Sequence, residues 1–138
     1  MTEAEAALAK ATYEQLIAVE PMYLLGQVKA IMEVTEMSLS EIAGAVRMGV
    51  VNPSVDARSR EARFTLQDVL KLYFAKMLYE ESKNKKMQKR NTGEVTVLWR
   101  DVDTYKIPGM LRGKKEELVF GSEVGQDLVK KMAEIAGI

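Results

Sequence analysis

The chain has 138 residues, of which 47% are apolar and 29% are charged, with 20 acidic and 20 basic side chains. This length and composition are typical of one globular domain and argue against a disordered chain or a multidomain enzyme. Because the sequence contains neither Cys nor His, it excludes disulfides, thiolate chemistry, imidazole bases, zinc fingers and most transition-metal sites. We therefore expect a protein that is not an enzyme and needs no cofactor.

The balanced charge conceals a basic middle segment. Residues 42–90 carry eleven basic and five acidic side chains, whereas residues 1–41 carry two basic and seven acidic ones. Clustered Lys and Arg are expected where a protein binds a polyanion, although a solvated surface has the same composition. The first twenty residues lack the basic start and apolar run of a signal peptide, and no apolar stretch is long enough to cross a bilayer. We expect a cytoplasmic protein without a membrane partner.

Three amphipathic helices are predicted in the first fifty residues. The first ends before Pro21, because a residue that precedes proline avoids the helical region. The second covers residues 22–34, where apolar side chains recur at spacings of three and four. The third begins after Ser38, since Glu41 follows three residues later and completes a capping box. Gly49 is well placed for the left-handed residue that ends this helix.

A fourth helix is predicted after a polar, Arg-containing segment, VVNPSVDARSREARF. Thr65 caps it, and Asp68 lies in the first turn, where the helix dipole favours a carboxylate. Its Lys-rich end, KNKKMQKRNTG, is interpreted as a frayed helix end or a linker, with a boundary near residues 91–93.

The C-terminal third is predicted to form a strand, a loop, a second strand and a helix. EVTVLW and EELVFG supply the strands, a segment with Pro108, Gly109 and Gly113 supplies the loop, and GQDLVKKMAEIAGI supplies the helix. Trp99 would share one strand face with Val95 and Val97 as a core or dimer anchor. Two strands alone are marginally stable. We therefore expect this part to oligomerise, which gives an organisation of N-terminal helix (1–21), DNA-binding domain (22–91) and oligomerisation module (92–138).

The middle segment carries a family resemblance. LLGQVKAIM is followed, after the third predicted helix, by RMGVVNPSVDARSREARFTLQDVLKL. The pattern consists of Gly49, Val50, Val51, Pro53, Ser54, Arg63, Phe64, Thr65 and Asp68. Over roughly residues 24–80, it resembles the MerR-type winged-helix family. The resemblance implies a mainly α fold with a small β element, a winged helix-turn-helix, duplex DNA as partner and a role in transcription regulation.

The sequence departs from the family pattern at several points. Residues 42–45 are Ile-Ala-Gly-Ala, where the family has an Arg followed by aromatic residues, and the link between the first two helices is about three residues longer. The long C-terminal coiled-coil helix and the sensing cysteines are also missing. The family's base contacts therefore cannot be transferred, and a homodimer would have to form by other means.

A second register of the motif is also compatible with the sequence. Residues 41–48 could be the first helix of a plain helix-turn-helix, with Asn52 capping a recognition helix PSVDARSREA. Both registers bring Arg58 and Arg60 to the DNA.

The predicted DNA-binding residues come from three places. They are Ser38, Ser40 and Arg47 of the third helix, Arg58, Arg60 and Arg63 of the polar segment before the fourth helix, and Lys83, Lys85 and Lys86 of the Lys-rich end of that helix. The polar segment corresponds to the wing of the family, and the Lys-rich end is called the basic tail below. Small and polar helix residues allow close approach to base edges, and the cations can contact phosphates. We expect a sequence-specific transcriptional regulator that binds double-stranded DNA as a homodimer. The alternative is an adaptor of a phage or mobile-element type that uses the basic surface for another macromolecule.

Overall fold

The computed structural model describes residues 2–90, 93 and 95–138, and within them the chain forms six α-helices and three short strands. The helices are α1 (Glu3–Val19), α2 (Leu25–Met32), α3 (Leu39–Arg47), α4 (Leu66–Arg90), α5 (Ile107–Gly113) and α6 (Glu123–Ala136). The strands are β1 (Met22–Leu24), β2 (Ser54–Val55) and β3 (Ala62–Thr65). The predicted combination of a mainly helical fold and a small β element is confirmed.

The three strands form one antiparallel sheet in the order β1-β3-β2. Tyr23 of β1 pairs with Phe64 of β3, and both side chains are buried. The Tyr23 hydroxyl donates a hydrogen bond to the Met132 carbonyl of α6 at 2.9 Å. The predicted start of the second helix at Met22 was therefore wrong, because residues 22–24 gain ladder hydrogen bonds that a local helical pattern does not reveal.

The predicted helix boundaries in the middle of the chain are largely confirmed. Ser38 Oγ accepts from the Glu41 amide at 3.1 Å, while the Glu41 carboxylate accepts from the Ser38 amide at 2.9 Å. Thr65 and Asp68 form the same reciprocal pair at the start of α4. Gly49 has a φ of 76°, which is the left-handed conformation expected after α3.

The segment between α3 and α4 is a β-hairpin, with β2 and β3 as its arms. The second register, which placed a recognition helix over PSVDARSREA, is therefore wrong. Asp56 explains why this segment is not helical. Its carboxylate accepts hydrogen bonds from the amides of Arg58 and Ser59, and these bonds stabilise a turn. Arg60 completes the reversal with a φ of 62°.

The basic tail is not a frayed end over residues 83–90, because α4 continues to Arg90. Lys, Gln and Met are good helix formers, and Lys85 pairs with Glu81 one turn earlier at 3.2 Å. The predicted boundary falls partly on Asn91 and Thr92, which lie outside the described residues.

Both strands predicted in the C-terminal third are wrong, as is the loop between them. Within the described part of that third, residues 95–98 have no regular structure, Trp99–Asp101 form a 3₁₀ turn, and Glu116–Phe120 form a π-helical turn. The segment around Pro108 is helix α5, where proline in the first turn is tolerated. Of the apolar side chains that suggested strands, Val97, Val119 and Phe120 are buried within the chain without a partner strand. The predicted C-terminal helix is confirmed as α6.

A single hydrophobic cluster includes residues from all three predicted segments. Tyr13 of α1, Phe74 of α4 and Leu128 of α6 belong to it, together with Val97 and Phe120. Helix α1 packs along α6, so the two ends of the chain support the same core. Among the described residues, no helix combines the length and apolar character needed to cross a bilayer.

Candidate nucleic-acid interface

Helix α3 has one buried face and one exposed face. Ile42 and Ala45 are fully buried, whereas Ser40, Ala43 and Arg47 are exposed. Their spacing of three and four residues aligns the exposed side chains on one side of the helix. Ser38 caps the start of the helix, so its hydroxyl oxygen is already engaged by the Glu41 amide. Ser40 and Arg47 are thus the predicted site residues that the exposed face of α3 presents.

A buried ion pair attaches α3 to α4. Lys76 Nζ of α4 lies 2.7 Å from a Glu41 carboxylate oxygen and 2.8 Å from Glu80. Only 10% of the Lys76 side chain and 17% of the Glu41 side chain are exposed. Burial raises the pKa of Glu41, but hydrogen bonds from Lys76 and Ser38 outweigh it and hold that pKa below its usual value. The carboxylate therefore caps α3 and orients it on α4 at the same time.

The hairpin turn presents the arginines predicted for the wing. Arg58 and Arg60 are exposed, and neither forms an ion pair within residues 2–90, 93 and 95–138. Hydrogen bonds from the Ser59 and Arg58 amides lower the pKa of the Asp56 carboxyl below its ordinary value. Because these amides hold Asp56, its carboxylate stabilises the turn that presents the two guanidinium groups.

Arg63 lies on β3 and differs from the other two hairpin arginines. Its guanidinium is 3.7 Å from the Glu61 carboxylate. The two side chains are about half exposed, so solvent screens the pair and it contributes little to stability. The hairpin therefore carries two arginines without an ion-pair partner in the described structure and one that is partly neutralised.

The three predicted lysines of α4 have different surroundings. Lys85 pairs with Glu81 on the exposed side of the helix. Lys86 donates to the Thr96 carbonyl at 3.2 Å and lies 3.5 Å from the Asp101 carboxylate. Lys83 is partly buried and lines a groove beside Val95 and Thr96. The Lys86 contacts connect α4 to the segment after it, a structural role that the sequence pattern did not indicate.

A segment that was not among the predicted site residues lies against α3. Trp99 packs on Gly44 of α3, and its indole is 5.0 Å from the Tyr79 ring of α4, measured between ring centroids. A Cβ atom at position 44 would overlap the indole Nε1 and Cδ1. A glycine inside a helix often marks such a close approach. Gly44 was therefore the residue in the sequence that could have indicated this contact.

Comparisons of this chain with protein-family models, curated proteins and solved structures found no match. The functional assignment therefore rests on the geometry of the residues described above.

Proposed function

We propose that residues 22–90 form a winged helix-turn-helix of the MerR type that binds duplex DNA and acts, without catalysis, in transcription regulation. Helices α2 and α3 would be the helix-turn-helix, with the exposed face of α3 toward the major groove. The β2–β3 hairpin would be the wing. One observation carries the proposal: the hairpin that follows α3 exposes Arg58 and Arg60 without an acidic partner in the described residues. Two neighbouring cations that form no ion pair within the described chain favour a polyanion.

Replacing Arg58 and Arg60 together by Ala should flatten the salt dependence of DNA binding. Each phosphate contact contributes a slope of about −0.9 in log K against log salt, so the loss should be roughly one to two units. Affinity should fall on all duplex sequences, because phosphate contacts are not sequence-specific. Thermal stability should hardly change, since exposed arginines contribute little to folding. Anisotropy titrations of a labelled duplex at several salt concentrations measure the slope.

The matched control is the double variant R112A/K130A, which removes the same charge from exposed positions on α5 and α6. It should keep the wild-type slope. If both double variants bind alike, net charge explains the binding and the wing has no special role. If the wild type shows no salt-dependent affinity for duplex DNA, the DNA-binding proposal fails and the adaptor alternative gains support.

We further propose that the protein binds DNA as a homodimer, because two-fold related recognition helices read two half-sites one helical turn apart. Three of the apolar residues expected at the interface, Val97, Val119 and Phe120, are buried within the chain instead. If the proposed dimer forms, light scattering at micromolar concentration should give twice the 15.5 kDa mass of one chain. A mass of 15.5 kDa, with and without a palindromic duplex, would contradict the dimer.

A further inference from the structure

Residues 97–100 lie along the side of α3 and extend the exposed surface of that helix. Val97 is buried, and Trp99 is held between Gly44 and Tyr79. The segment is also fixed at its ends, because Lys86 donates to the Thr96 carbonyl and pairs with Asp101. Its position relative to α3 is thus set by packing on two helices.

Between this segment and α3 runs an open groove of about 470 Å³. Ser40 and Arg47 line it from α3, and Leu98 and Arg100 line it from the other side. Both arginines are exposed, and among the described residues neither forms an ion pair. The groove therefore has a cation on each side.

The acidic side chains near the groove each have a lysine partner. Glu41 lines the groove, but its carboxylate pairs with Lys76 at 2.7 Å. Asp101, which follows Arg100, lies 3.5 Å from Lys86 Nζ. The two arginines therefore stand without an ion pair on the side of α3 that faces solvent, and an anionic backbone is the ligand this arrangement favours.

From this arrangement we infer that Arg100 is a further DNA-contacting residue. It binds a backbone phosphate of the DNA, beside the major groove that α3 enters. Trp99 is its positioning residue, since the indole seated on Gly44 determines where Arg100 projects. This inference rests on the proposed DNA-binding function. It adds a contact from outside residues 24–80, where the sequence resemblance lies.

The test compares R100A with R112A, a matched control that removes an exposed arginine from α5. R100A should flatten the slope of log K against log salt by about 0.9, the contribution of one phosphate contact, whereas R112A should keep the wild-type slope. R100K should restore the slope, because a lysine ammonium can also bind a phosphate. Anisotropy of a labelled duplex measures all four proteins.

The positioning role of Trp99 has its own readout. W99L should flatten the slope as much as R100A, and the double variant W99L/R100A should lose nothing further, since both changes remove the same contact. In the wild-type protein Trp99 is the only tryptophan, so duplex addition should change the intrinsic fluorescence. Additive slope losses in the double variant would show that Trp99 does not act through Arg100.

The outcomes distinguish a failure of the Arg100 inference from a failure of the proposed DNA-binding function. If R58A/R60A flattens the slope while R100A behaves like the wild type, Arg100 does not contact DNA and the inference is wrong, although DNA binding stands. If the wild type shows no salt-dependent binding at all, the proposed function and this inference both fail.

Discussion

Replacing Lys76 by Met should lower the free energy of unfolding by about 3 kcal/mol, the largest effect we expect from a single polar substitution. Methionine keeps the packing of the aliphatic stem but removes the ammonium group. The Glu41 carboxylate, only 17% exposed, would then lose the ammonium that lies 2.7 Å away. An uncompensated buried charge is costly, because the protein interior replaces little of the lost hydration. Chemical denaturation at neutral pH measures the change.

Two variants identify the cause of that loss. The double variant K76M/E41Q should recover most of it, because glutamine is neutral and can still accept from the Ser38 amide in the capping box. K85M removes a lysine whose side chain is 65% exposed in its pair with Glu81, and it should stay within about 0.5 kcal/mol of the wild type. If K76M and K85M cost the same, the buried pair makes no special contribution.

The loss in K76M should also depend on pH. The folded-state pKa of Glu41 lies below its ordinary value of 4.5. A depressed carboxyl pKa contributes stability that is fully present above the unfolded value and is lost as the pH falls through the folded value. The difference between the wild type and K76M should therefore be full at neutral pH and shrink below 4.5. A difference that did not change with pH would point to packing instead of charge.

Replacing Gly44 by Ala should destabilise the protein by about 2 kcal/mol, which is within the range measured for overpacked sites. The direction is unusual, since glycine inside a helix costs about 0.5 to 1 kcal/mol relative to alanine and the change would ordinarily stabilise α3. Here the new Cβ would overlap the Trp99 indole, so the ring must leave its position. The fluorescence of the only tryptophan should shift to the red as the indole enters water.

Gly26 provides the matched control for that substitution. It lies in α2, and a Cβ atom there would have no neighbour within 4 Å. G26A should therefore raise stability or leave it unchanged, with unaltered tryptophan fluorescence. If G44A behaves like G26A in both measurements, the indole does not occupy the space beside Gly44.

Interactions within one helical turn were predictable from the sequence. The Ser38–Glu41 capping box, the Thr65 cap of α4 and the left-handed Gly49 all form as expected. Each depends on residues no more than four positions apart and on the intrinsic geometry of the side chains involved. For this reason the positions of α3 and α4, and the exposed residues Ser40 and Arg47, followed from the residue order alone.

Strand formation depended on partners far away in the chain. Residues 22–24 form a strand because β3 lies beside them. Val95, Val97 and Phe120 pack in or against the largely helical core and form no strand. The β-propensity of a short segment mostly reflects the surface on which it packs, so the sequence alone could not separate these cases.

The surroundings of the candidate site were likewise decided by tertiary structure. Sequence composition showed that residues 42–90 are basic, but only the folded chain pairs Lys76 with Glu41 and engages Lys86 with the segment after α4. It also brings Arg100 to the groove beside Arg47. The sequence by itself determined which residues are charged and where the local turns and helix caps form. Which charges remain free for a partner was settled by packing between distant segments, because ion pairing depends on distance in space and not along the chain.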